Sequence, residues 1–146
     1  MNYVYHGSPV QKLSYIKGTP DKSHNNLGSN IVAASTSKSF AACYGYYWKD
    51  DTINQSWDNN DPENIRITLR FVKEINEEDL NKPFSIYTLS IRGFKSLPIR
   101  KTSVIDMYNQ GPIEIIREER YKNWLDYIKR DSKIELQGLE FLYSNH

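Results

Sequence analysis

Ile65, Ile67, Leu69 and Phe71 alternate with Arg66, Thr68, Arg70 and Val72. A period of two places one side-chain set on a core and the other toward solvent, so this run predicts a half-buried strand. Phe84 to Ile91 carries a second strand pattern, closed by Gly93, and Ile31 to Ala34 is a short apolar run suited to a strand covered on both faces. From Ser37 onward the period changes. Phe40, Ala41, Tyr44 and Trp48 recur at helical spacing behind the hydroxyl-rich start Ser35-Thr36-Ser37, which predicts an amphipathic helix. Tyr121, Trp124, Leu125 and Ile128 predict another helix within Glu118 to Arg130.

Between these elements the chain is punctuated. Val10 to Ile16 fits a short helix or turn, Lys17 to Asn30 is a long loop, and Lys49 to Asn64 reads as a polar surface loop anchored by Trp57. Glu77 to Asn81 makes a single turn, and Ile99 to Ile105 a short edge strand. Asp106 to Pro112 reads as a loop delivering the chain into a buried-type strand, Ile113 to Ile116, and Leu139 to Tyr143 forms a last strand after Gly138. The order predicts an α+β domain spanning residues 1–146, with a mostly antiparallel, split sheet and few helices.

Chemistry enters at the N-terminus. Tyr3, Val4 and Tyr5 favour a strand, and Gly7, Ser8 and Pro9 end it, so His6 sits where a rigid strand opens onto a loop. Gly7 leaves bare backbone accessible beside it. The other two histidines are scattered, and no metal-ligand spacing, phosphate-binding glycine loop or Ser/His/Asp pattern is found. His24, in the long loop, is a solvated residue or a ligand contact, and Cys43 on the predicted helix is a packing residue.

Composition narrows the classes. Nineteen basic against eighteen acidic residues give a formal charge of +1, which carries no strong signal for nucleic acid. A single cysteine points to a reducing, cytoplasmic setting. No apolar run approaches the roughly 18 residues of a membrane span. Arg66 and Arg70 share a strand face and offer a phosphate contact, or are simply exposed.

His6-Gly7-Ser8, followed by Gly28-Ser29, the Ile31–Ala34 run and Ser37-Lys38-Ser39-Phe40-Ala41, resembles the ADP-ribosyltransferase superfamily in its PARP-like and diphtheria-toxin-like branch. That resemblance implies NAD as substrate, no metal, and mono-ADP-ribosyl transfer or NAD hydrolysis of toxin or defence type. The macromolecular acceptor is left open. It assigns His6 to a ribose hydroxyl, Gly7 to the nicotinamide carboxamide, Ser8 to an added contact, and Ser37 to the second motif. Ile31 stands where the branch has a tyrosine, so Tyr44 or Tyr47 is expected to stack on the ring. Glu114 is expected to supply the catalytic carboxylate, with Asp106 and Gln110 as competitors. Two alternatives stay open: a catalytically inactive nucleotide- or partner-binding module, and an RNA 2′-phosphotransferase-like enzyme.

Overall fold

Phe84 to Ser90 forms the most deeply buried strand among the described residues, every residue but Ser90 being covered. This is possible because both of its faces meet apolar partners. Phe84 and Ile86 join a core with Leu69, Phe71, Trp124 and Ile128. Tyr87 and Leu89 join a second core with Val4, Ile16, Val32 and Met107. The architecture is α+β, and the computed structural model describes residues 2–20, 27–48, 51–98 and 102–144.

In chain order the elements are β1 (Tyr3–Ser8), β2 (Tyr15–Ile16), β3 (Ile31–Ala34), α1 (Lys38–Ala42), β4 (Ile53–Asp58) and β5 (Arg66–Phe71). There follow β6 (Ile75–Asn76), α2 (Glu77–Leu80), β7 (Phe84–Ser90), β8 (Lys95–Ser96), β9 (Met107–Gln110) and β10 (Ile113–Glu114). The chain closes through β11 (Arg117–Tyr121), α3 (Trp124–Arg130), β12 (Ile134–Gln137), a 3₁₀ turn at Leu139–Phe141 and β13 (Leu142–Tyr143).

Three three-stranded sheets run in the orders β1-β7-β11, β3-β9-β8 and β12-β5-β4. Among the described residues all strand pairs are antiparallel except β12 on β5, which is parallel, as is the short pair β13 on β6. The first two sheets touch where the Tyr5 N–H reaches the Ser35 carbonyl at 2.7 Å and the Ser35 N–H returns to Tyr5 at 2.9 Å. Beyond that bridge β1 and β3 pair no further. Among the described residues, no helix is long and apolar enough to cross a membrane.

Several elements differ from the sequence expectation. The helix after Ser37 ends at Ala42 instead of running to Trp48. Gly45 passes so close to Phe84 that an added Cβ would lie 2.2 Å from its ring, so the chain leaves the helix to fit that approach. The expected loop Lys49–Asn64 contains β4, whose inward positions Gln55 and Trp57 hide the alternation. The expected loop Asp106–Pro112 contains β9, held between β3 and β8. The expected helix from Glu118 divides: Glu118 to Tyr121 completes β11, and α3 starts only after Asn123, whose side chain caps the Asp126 N–H at 3.0 Å. Ile113–Ile116 shortens to β10, with Ile116 54% exposed, and the last strand shortens to β13. The turn at Val10–Ile16 ends in β2, and Ile134–Gln137, which carries no strand expectation, forms β12. His24 and residues 99–101 of the expected edge strand lie outside the described residues, and the described remainder, residues 102–105, forms no strand.

Candidate functional site

The site is built by the failure of two strands to stay paired. In an antiparallel ladder, alternate residues turn their N–H and C=O groups to opposite neighbours. Tyr5 directs its pair to Ser35, so Gly7, two residues on, directs its own away from β7 and toward β3. On β3, Ser35 bonds Tyr5 and Ile31 bonds Thr19, so Ala33 between them also faces the gap. A continuing ladder would join Gly7 to Ala33. Instead His6 Nδ1 lies 2.6 Å from the Ala33 carbonyl oxygen, taking the acceptor that the Gly7 N–H would have used. The N–H groups of Gly7 and Ala33 have no partner among the described residues. Unsatisfied backbone groups of this kind call for a ligand or water.

A carbonyl can only accept, so the His6 proton sits on Nδ1 and Nε2 remains an acceptor. Burial pushes the imidazole pKa below its ordinary 6.5, with the Ala33 bond acting in the opposite sense. His6 is therefore neutral at pH 7.

Around this gap lies a cleft of about 930 Å³, lined by His6, Gly7, Ser8, Phe40, Tyr44, Asp106 and Lys17 among others. Phe40 and Tyr44 enter it because α1 packs directly over β1. Ser37 starts that helix, its Oγ accepting the Phe40 N–H at 3.1 Å; it is buried, and it caps the helix without lining the cleft. Ser8 lines the cleft and its Oγ accepts the Val10 N–H at 3.1 Å.

The two candidate stacking residues separate. Tyr44 stands at the cleft, stacked on Trp48 at 5.4 Å, with its hydroxyl 2.6 Å from Gln55 Oε1. Tyr47 is 70% exposed and does not line the cleft. Tyr44→Ala is expected to weaken a planar ligand by about 0.5–1.5 kcal/mol, the usual worth of an aromatic pair. Tyr47→Ala should leave its affinity unchanged, and titrating both variants with nicotinamide checks the pair.

The carboxylates separate as well. Glu114 is exposed, opposite Tyr15 in the β10–β2 pair, and does not line the cleft. Gln110 is exposed at the far end of β9. Asp106, half-buried just before β9, is the one carboxylate among the described lining residues. Lys17 is the one lysine or arginine among them. No local pattern in the sequence marks the cleft wall formed by Leu13, Tyr15 and Met107, since its position depends on the β10–β2 and β3–β9 pairs.

Other candidates stand apart. Burial raises the pKa of Cys43, whose thiol donates to Ser39 O at 3.4 Å, so it is no nucleophile at neutral pH. Arg70 donates to Gln137 Oε1 at 3.0 and 3.1 Å, and neither it nor Arg66 lines the cleft. Among the described residues no group of three or more His, Cys, Asp or Glu side chains is placed to hold a metal ion. Comparison of the chain with protein-family models, curated proteins and solved structures gives no match.

Proposed function

We propose that the cleft binds NAD and that the chain is an ADP-ribosyltransferase-like protein, acting by mono-ADP-ribosyl transfer or NAD hydrolysis. The observation that carries this reading is the split itself. Neutral His6 offers an acceptor nitrogen for a ribose hydroxyl, and the open Gly7 backbone offers a donor and an acceptor for a carboxamide. Tyr44 stands in the same cleft for a planar ring.

The chemistry follows from the leaving group. Breaking the C1′–N bond sends the bonding pair to the nicotinamide nitrogen, which loses its positive charge, while cationic character grows on the ribose. The attacking hydroxyl of water or acceptor bonds to C1′ and gives up its proton. A carboxylate in the cleft favours that state by charge and takes the proton. Asp106 lines the cleft and Glu114 does not, which supports Asp106 for this role. Mixing the protein with NAD and separating free nicotinamide from intact dinucleotide tests the activity.

One observation favours the alternative of a non-catalytic NAD-binding module: Glu114, at the expected position of the third motif, lies outside the cleft. Binding without nicotinamide release would decide for it. A 2′-phosphotransferase-like activity is less well supported, because Lys17 is the only lysine or arginine among the described lining residues.

His6→Ala should weaken NAD binding by about 1–3 kcal/mol, the cost of losing a desolvated hydrogen bond. Loss of the Ala33 bond should lower the melting temperature by only a few degrees. The pH dependence follows from the depressed pKa. The folded-state contribution of neutral His6 is fully present above its ordinary 6.5 and is lost as pH falls through the lower folded value. NAD affinity measured from pH 7.5 downward should hold through 6.5 and decline below it.

A further inference from the structure

Residues 9–14, between β1 and β2, have no strand or helix of their own, and Leu13 and Ser14 at the end of this segment line the cleft. Consecutive bonds to the floor beneath hold the segment instead. Tyr87 Oη donates to the Val10 carbonyl at 2.7 Å and accepts the Leu13 N–H at 3.2 Å. Glu118 Oε2 accepts the Lys12 N–H at 2.9 Å, and Gln11 Nε2 reaches the Phe84 carbonyl at 2.8 Å. Lys12 is kept in the left-handed region at φ 63°, a costly conformation for a side-chain-bearing residue. Strain of that kind persists where the surroundings over-determine it, and it concentrates at ligand clamps.

The floor residues are not scattered. His6 pairs with Tyr87 across β1 and β7, and Tyr87 pairs with Glu118 across β7 and β11. Cross-strand partners share a face, so the three side chains form one row, with His6 at the cleft. Tyr87 is fully buried. Glu118 is fixed in turn by Ser85 Oγ at 2.6 Å and Arg120 Nε at 3.1 Å. Neither Tyr87 nor Glu118 lines the cleft.

We propose that Tyr87 and Glu118 are positioning residues that hold the 9–14 segment in a preformed shape, so that Leu13 and Ser14 are set at the cleft and it accepts its ligand without ordering this loop. The inference rests on the reading of the cleft as an NAD site. Preorganisation of a binding loop raises affinity by removing the cost of ordering it.

The test uses Tyr87→Phe, which deletes both loop bonds and keeps the ring, and Glu118→Gln, which deletes the charge and keeps the shape. Ile128→Val, a core truncation in α3, serves as a stability control. Each protein is titrated with NAD by calorimetry, melted, and followed by amide hydrogen exchange. Both positioning variants should bind NAD about tenfold more weakly, roughly one loop-anchoring bond's worth, with faster exchange at Lys12 and Leu13. Ile128→Val should melt earlier with unchanged affinity. Should the wild type bind NAD while Tyr87→Phe and Glu118→Gln bind it equally well, the inference is overturned alone. A wild type that binds no NAD overturns the NAD reading and this inference with it.

Discussion

Asp106→Asn is expected to leave NAD bound while nicotinamide release falls by about 10²–10³, the usual effect of removing one electrostatic contact made mainly in the transition state. The substitution keeps the shape of the side chain and deletes its charge. Asp106 is the one carboxylate among the described lining residues, so no described neighbour in the cleft can replace it. Glu114→Gln should change neither binding nor release. Glu114 lies opposite Tyr15, which is itself 50% exposed, so its charge faces solvent and is screened. Single-turnover release measured at saturating NAD separates the two carboxylates. Loss of turnover in Glu114→Gln with none in Asp106→Asn would reverse the assignment.

Gly7→Ala is expected to damage the fold and the site together. A Cβ on Gly7 would lie 1.9 Å from the Ala41 carbonyl oxygen and 2.8 Å from its carbon. Both atoms are backbone, and that carbonyl already accepts the Tyr44 N–H at 3.0 Å, so neither can rotate aside. Either α1 lifts from β1 or β1 bends, and overpacking of this severity costs about 3 kcal/mol or more. For a chain of this size that is roughly 10 °C in melting temperature. Movement of α1 would also carry Phe40 and Tyr44 away from the cleft, so NAD binding should be lost in protein that remains folded. A thermal melt and a titration of the same sample measure both. Unchanged melting would mean that α1 packs on β1 less closely than the 1.9 Å clearance requires.

How far the sequence reveals this arrangement depends on how local each signal is. The alternation of Ile67, Leu69 and Phe71 is written in consecutive residues, and β5 forms there. The His6-Gly7-Ser8 motif is equally local, and all three residues line the cleft, but the strand expected to end after His6 runs on through Ser8, because Gly7 and Ser8 stay paired with Ile86 and Ser85 of β7. The Glu118 to Arg130 region misleads for a physical reason. Tyr121 and Trp124 reach the same core, Tyr121 from a strand end and Trp124 from a helix start, which imitates helical spacing. Partners distant in sequence hold the strand: Lys38 pairs with Glu119 at 2.8 Å, and Ser85 with Glu118 at 2.6 Å. Glu114 shows the same limit at the site. Its neighbours Ile113 and Ile115 pack on the second core, which turns Glu114 outward, whereas Asp106 reaches the cleft only because β9 is seated on β3.

If NAD occupies the gap where β1 and β3 part, the amides of Gly7 and Ala33 report on it directly. Both N–H groups face it without a partner among the described residues. In a ¹H–¹⁵N spectrum recorded through a titration with NAD, these two amides should shift saturably, with Tyr44 following and Tyr47 unmoved. Saturable shifts confined to other regions, or no shift at millimolar NAD, would contradict this placement of NAD.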